Sequence, residues 1–286
     1  MQGEAGAPLR AWVEYFRDLG VYDFYRRGEP AMLAASEPDA GPALNIAALE
    51  SGHSALEAPF TQPISETISV PPVNLISFND LAPLPMAAIP PAEREGALRA
   101  IQEEIGDCTR CPLAYAGRRK IVFGDGTPTA RLMFVGEGPG ADEDAQGLPF
   151  VGKAGQLLNN MIGAMGLARV EVYIANIVKC RPPGNRVPEP VEANTCSQFL
   201  LRQIDVVRPE AIVALGSTAA TYLLGVKQSL SSLRGRWHRC RGAKLAVTYH
   251  PAFLLRDPRQ KVEAWKDLQM VMRELGLTPQ APKKIS

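Results

Sequence analysis

Several things are missing from this chain. No stretch of eighteen apolar residues occurs, so the sequence offers no candidate for a membrane-crossing helix. Its first residues, Met1 to Pro8, lack the basic and then apolar regions of a secretory signal. Between Gly28 and Glu93 there is no Lys or Arg at all, while eleven prolines fall between Pro30 and Pro91. Ala and Ser fill much of the remainder, and a stretch of this composition buries little surface and reads as a disordered tether. No internal repeat is visible.

What is present is charge-segregated. Residues 1–95 carry 5 Lys/Arg against 13 Asp/Glu, and residues 96–286 carry 26 against 17. A basic half joined to an acidic N-terminal part suits a polyanionic ligand on the basic half; an unevenly charged, solvated surface is the plainer alternative. Leu9, Trp12, Val13, Phe16 and Leu19 recur at helical spacing, so residues 1–27 read as a short amphipathic helical segment. Residues 28–92 then form the acidic linker, with scattered apolar residues from Ile64 to Met86 that suit either plain linker or a docking peptide. A folded domain is expected over 93–278, followed by a tail over 279–286.

The domain opens on a helix with Leu98, Ile101 and Ile105 on one face. Strands and helices alternate from there. Apolar runs at 132–135, 172–178, 211–215 and 245–249 read as buried strands. Helices are expected at about 153–165 and 189–206, from Ser217, and along Val262, Trp265, Leu268, Val271 and Met272. Continuous apolar strands separated by helices predict a three-layer α/β domain with a four-stranded parallel sheet covered on both faces.

Four of the five cysteines carry a pattern. Cys108 and Cys111 form C-x-x-C, and Cys180 and Cys196 flank the Pro- and Arg-rich stretch from Arg181 to Arg186. Four thiolates from two distant segments can enclose one metal centre, either a cubic iron–sulfur cluster or a structural zinc, and spacing does not separate the two. Ordinary buried cysteines are the competing reading. Thiols that ligate metal favour a reducing compartment, so a bacterial cytosolic or nucleoid location is expected. Cys240 reads as a spare reduced thiol.

Each expected strand ends in an unusual residue: Glu137-Gly138-Pro139-Gly140 after the first, Asn176 in the second, Gly216-Ser217 after the third, His250-Pro251 after the fourth. Ligands of parallel α/β sheets bind beyond the carboxyl ends of the strands, so these residues should converge on one crevice. Glu137, Asn176 and His250 then make a set of acid, amide and imidazole, with Gly138 and Gly140 permitting close backbone approach. Individually, each is equally well explained by a turn, a cap or a core histidine.

Together, the segments Gly136 to Gly140, Pro149 to Gly155, Asn176 to Pro183 and His250 to Arg256 resemble the signatures of family-four uracil-DNA glycosylases, over roughly residues 97–275. The resemblance implies a monofunctional DNA-repair enzyme that flips uracil out of DNA and hydrolyses its glycosidic bond. It implies a [4Fe–4S] cluster on Cys108, Cys111, Cys180 and Cys196. It implies catalysis by His250 with Glu137 or Glu143 positioning water, and a uracil pocket of Glu137, Gly138, Pro139, Phe150, Asn176 and His250. Lys179, Arg181, Arg186 and Arg256 are expected on DNA, with Leu254 and Leu255 as a minor-groove wedge. The best-known glycosylase family has an Asp where this chain has Gly138, and family four commonly has Ser where this chain has Ala252. Relatives that trap DNA covalently carry a His-containing insert after the second strand, and Val178 to Val187 has none, which favours turnover. The expected partners are uracil-containing DNA, single- or double-stranded, and a protein docking on the N-terminal segment; no membrane partner and a monomer are expected. A catalytically silent, metal-stapled DNA-binding module is the alternative.

Overall fold

Leu132-Met133-Phe134-Val135 is apolar on both faces, and such a run is stable only as a strand covered above and below. In the computed structural model, which describes residues 75–278, it lies near the centre of a six-stranded sheet. The strands are β1 (Asp125–Gly126), β2 (Leu132–Gly136), β3 (Tyr173–Asn176), β4 (Ala211–Leu215), β5 (His238–Cys240) and β6 (Ala243–Thr248). They lie in the order β1-β3-β2-β4-β6-β5. The four strands expected from the sequence are mutually parallel, with Phe134 opposite Ile174 on one side and Val213 on the other.

Both edges of the sheet go beyond the four-stranded expectation. β1 and β5 add antiparallel, making the sheet mixed. At two and three residues they are too short to show a period, and β5 exists because the chain doubles back at Arg241-Gly242 onto β6.

Alternation along the strands sends side chains to two cores. Met133, Val135, Ile212, Ala214, Leu245 and Val247 face one layer, with helices α2 (Arg94–Ile105), α5 (Pro190–Val207) and α6 (Ser217–Leu224). Leu132, Phe134, Val213 and Ala246 face the other, with α4 (Lys153–Ala164), α8 (Pro251–Arg256) and α9 (Lys261–Leu275). Two short helices, α3 (Ala141–Gln146) and α7 (Leu230–Leu233), complete the domain. Among the described residues, no helix is long and apolar enough to cross a membrane. The chain leaves β2 toward β3 on one side and reaches β4 on the other, so the strand order reverses at β2/β4 and opens a crevice at the carboxyl ends.

The start of the packed body corrects a second expectation. Residues 75–92 belong to the linker by composition, yet helix α1 (Phe78–Leu81) is packed, with Phe78 only 1% exposed. Arg241, at φ +51°, has its guanidinium buried against this strap, donating to the carbonyls of Phe78, Ala82 and Pro83 while pairing with Asp205. One aromatic anchor and a set of backbone carbonyls hold an extended, proline-rich strap that has no hydrophobic period to reveal it. The helical segment at 1–27, the linker from 28 to 74 and the tail from 279 lie outside the described residues.

Candidate active site and cysteine centre

Asn176, the last residue of β3, is 1% exposed, and its Oδ1 has no hydrogen-bond donor. Among the described residues it is the one buried side-chain oxygen or nitrogen left without a partner. Such an atom costs about 1–3 kcal/mol unless something supplies the missing bond. A β-carbon at Gly136 would stand 2.4 Å from that oxygen and 2.6 Å from the Phe150 ring. Only glycine leaves room there, so Gly136 is the floor on which the amide and the ring meet. Close approach also holds where it is expected from the sequence: a β-carbon at Gly138 would stand 2.7 Å from Val178 Cγ2, and one at Gly140 2.7 Å from Glu143 Oε2.

Phe150 is 5% exposed, and its ring centroid lies 5.6 Å from that of His250. His250 follows β6 and caps α8: its Nδ1 accepts from the Ala252 N–H at 3.1 Å. In the neutral ring this leaves the proton on Nε2, as a donor toward the crevice. Burial pushes the imidazole down to about 4, helped by nearby Arg256 and opposed by Glu143, so it is neutral at neutral pH. Nearby, at the end of β6, Thr248 donates to the buried Asp267 (2.7 Å), which also pairs with Arg234 (2.7 Å).

The two carboxylates differ in how they are held. Glu137 sits half-buried after β2, and its Oε2 accepts from Thr218 Oγ1 across the β2/β4 crevice. Its other oxygen takes no hydrogen bond from any described residue. Glu143, expected as an alternative catalytic carboxylate, is fully engaged. Its Oε2 accepts from Gly140 N (3.0 Å), and its Oε1 from Val151 N (2.9 Å) and Gly152 N (3.0 Å). It staples the loop before α3 to the loop after Phe150, whereas Glu137 keeps one oxygen clear of donors among the described residues. Gly138 is half-buried at the crevice mouth; Pro139 is buried and, lacking an N–H, offers no donor. Asp144, next to Glu143 in the carboxylate-bearing stretch after the Gly-rich loop, is buried and accepts from Arg119 N (2.8 Å), whereas Thr218 is not foreshadowed by any motif. Thr218 has one signal in the sequence, its place just past the end of β4.

Two of the expected DNA contacts, Lys179 and Leu254, are corrected by burial. Lys179 is 1% exposed, its ammonium bonded to Asn176 O (3.1 Å) and Gln203 Oε1 (2.6 Å), and burial lowers it to about 8. Arg186 is bound bidentately to the fully buried Glu192 (2.7 and 2.8 Å), locking the start of α5. Leu254 is 1% exposed because helical geometry turns it into the core, leaving Leu255 at 41%. Arg181, bonded to Asn185 (2.8 Å), is partly exposed, and Arg256 is exposed.

Cys108, Cys111, Cys180 and Cys196 line a single pocket, walled by Ile105, Ile121 and Phe199. None of the cysteines is in a disulfide. Two guanidinium groups and one backbone amide approach the sulfurs: Arg118 Nη1 lies 3.4 Å from Cys180 Sγ, Arg110 Nη1 lies 3.6 Å from Cys108 Sγ, and the Lys179 backbone N–H donates to Cys196 Sγ at 3.3 Å. Burial pushes the Cys196 thiol up to about 12 and raises Cys180 and Cys111 as well. Cys240 is buried elsewhere and pushed up to about 12 by the same cause.

These arrangements match a known family. Residues 123–269 fit the model of the uracil DNA glycosylase superfamily. The chain is 45% identical to the type-4 uracil-DNA glycosylase of Thermotoga maritima over 168 residues, which are 57% of this chain and 86% of that protein. This chain belongs to the type-4 uracil-DNA glycosylases. The type-4 uracil-DNA glycosylase of Pyrobaculum aerophilum is 41% identical over 181 residues, 60% of this chain and 92% of the relative. That of Sulfurisphaera tokodaii is 42% identical over 192 residues, 64% and 86%. The crevice residues of this type-4 uracil-DNA glycosylase, from Gly136 to Arg256, all fall within the span matched by the superfamily, whereas the strap at 75–92 precedes it.

Proposed function

We propose that this protein removes uracil from DNA by hydrolysing the bond between uracil N1 and the deoxyribose, leaving an abasic site. The observation that carries the reading is the unpartnered, buried Oδ1 of Asn176. Uracil N3–H is the donor it lacks, and the amide Nδ2 donates to O4. Cytosine, with acceptor and donor exchanged at those positions, meets like against like. The duplex hides the anomeric carbon, so the base enters this pocket only after flipping.

Inside the pocket, the Phe150 ring stacks on the base. His250 Nε2–H donates to uracil O2, where negative charge gathers as the electron pair of the breaking bond moves onto the base. A neutral donor serves this role without first giving up a proton. Such preorganised donors contribute several kcal/mol in other enzymes. Glu137, oriented by Thr218, positions the water that attacks the anomeric carbon. Arg181 and Arg256 face phosphates, and Leu255 is the wedge into the minor groove.

A [4Fe–4S] cluster on Cys108, Cys111, Cys180 and Cys196 is the reading we favour for the cysteine centre. Among the described residues, no three Cys, His, Asp or Glu side chains converge so as to hold one metal ion, while all four sulfurs line one pocket. A body with one iron per thiolate suits that spread better than a single zinc. When bound, the cluster supplies positive metal centres that stabilise thiolates and tie the loop at 108–118 to the end of β3 and to α5.

Uracil release from oligonucleotides, followed under single-turnover conditions, tests the activity. Free uracil with an alkali-sensitive abasic site is expected; tight binding without release identifies a silent binding module. Anaerobically purified protein is expected to be brown with about four irons, one for each ligating thiolate. A colourless protein with one zinc defeats the cluster, and Cys240→Ser is expected to leave metal content unchanged.

A further inference from the structure

Phe150 has a backbone that phenylalanine does not choose by itself. Its φ is +52°, in the left-handed region that a side chain with a β-carbon disfavours. The surroundings must therefore impose it. Arg169 does so from the turn at 169–171, ahead of β3. Its Nη1 donates to Phe150 O at 3.0 Å and its Nη2 to Pro149 O. These carbonyls belong to the two peptide planes on either side of the Phe150 α-carbon, and the relative rotation of those planes is what φ and ψ describe. One planar guanidinium thus fixes both. The guanidinium is itself anchored, by Nη1 to Asn159 Oδ1 (2.9 Å) and by Nε to Asp125 Oδ2 (3.3 Å). The same carbonyl also rests on Gly155, where a β-carbon would stand 1.9 Å from Phe150 O. The backbone is clamped between a glycine and an arginine, and the ring is delivered against Gly136, beside His250.

We propose that Arg169 is a positioning residue for uracil recognition: it holds Phe150 in the left-handed conformation that makes its ring a wall of the base pocket. The proposal rests on the reading of Phe150 as the stacking surface. The hydrogen bonds of the Arg169 guanidinium reach the backbone of Pro149 and Phe150 and its own anchors, Asn159 and Asp125, so its influence on excision passes through the ring. Lysine cannot replace it fully, because a single ammonium does not present the planar fork that bridges two carbonyls.

The test is a double-mutant cycle on the full chain, read by single-turnover uracil excision and by inhibition with free uracil. Arg169→Ala is expected to slow excision about tenfold and to weaken uracil inhibition similarly, as displacement of a positioned group does. Affinity for uracil-free duplex should stay unchanged, and Arg169→Lys should fall between wild type and Arg169→Ala. In a Phe150→Ala background, Arg169→Ala should add less than about a twofold loss, because neighbours acting through one group are non-additive. A full further tenfold loss in that background overturns the proposal, as does wild-type uracil inhibition by Arg169→Ala. Phe150→Ala that excises uracil and is inhibited by it normally removes the stacking surface itself, and is told apart because Arg169 is untouched. If Arg169→Ala does not fold, Arg169→Lys carries the same comparison in both backgrounds.

Discussion

In the crevice, Asn176 keeps a buried oxygen without a donor, Phe150 is held at a disfavoured φ, and His250, whose Nδ1 is taken by a backbone N–H, keeps its Nε2–H without an acceptor among the described residues. Three residues further along the chain, Lys179 is equally buried, but its ammonium has two acceptors and its backbone N–H meets Cys196. The two regions share a strand end and one hydrogen bond, from Lys179 to the carbonyl of Asn176. One leaves polar groups unmet and strain in place; the other matches its polar groups and encloses its sulfurs with cations. Unmet groups and backbone strain are stored where a ligand will resolve them, whereas matched groups build the support. Residues of the crevice should therefore change turnover when altered, and residues of the support should change stability.

The largest effect should follow from His250→Ala. Single-turnover excision is expected to fall on the order of 10²-fold or more with DNA affinity retained, since the donor acts on charge that appears only as the bond breaks. Normal single-turnover excision with poor DNA binding would move His250 out of the crevice chemistry. The same imidazole sets a pH dependence. Its value in the folded protein, about 4, lies below the ordinary 6.5, so the unfolded chain takes up the proton first. The associated stability is complete above about pH 6.5 and is lost as pH falls toward 4. Urea unfolding at stepped pH should show this loss in the wild type and a smaller one in His250→Gln.

Asn176→Asp comes next. A carboxylate has no donor for uracil O4, so excision should fall roughly tenfold to a hundredfold, the scale of one or two buried hydrogen bonds. Unchanged preference for uracil over cytosine, measured on matched oligonucleotides, would show that the unmet Oδ1 does not read the base.

Glu137→Gln and Glu143→Gln should divide along the same line. The first is expected to slow excision about tenfold or more with little change in unfolding temperature. The second sets an amide where three backbone N–H groups require an acceptor, at a cost of about 1–3 kcal/mol in stability. Equal and purely catalytic losses in both would erase the distinction between chemistry and staple.

The smallest effects concern DNA. Arg256→Ala should weaken binding a few-fold across all sequences and reduce the salt slope of affinity by about one. Lys179→Met should leave that slope unchanged while lowering the unfolding midpoint in urea. A reduced slope in Lys179→Met would mean that this lysine reaches phosphate after all.

Much of this site is legible without coordinates. Strands of four or more apolar residues announce themselves, and the residue types at their ends, Glu137, Asn176 and His250, are those a flipped pyrimidine requires. Lys179 and Leu254 depart from expectation because residue type and neighbourhood in sequence say little about which way a side chain turns. Lys179 and Arg181 stand two apart in the same basic motif, yet the first is buried and the second partly exposed. Glu143 looks as reactive as Glu137 in sequence, and only the three backbone amides that converge on it reveal a staple.

The sequence by itself determined the four parallel strands and the main helices between them, the pairing of cysteine segments and the family. These follow from local periodicity and from residue types at strand ends, which the covalent order carries directly. The tertiary structure alone decided which charges are buried, which carboxylate is free, that Phe150 is clamped by Arg169, and that residues 75–92 strap onto Arg241. Those outcomes depend on backbone carbonyls and amides brought together from distant positions. Such groups are nearly the same in every residue, so no pattern of side chains announces where they will meet.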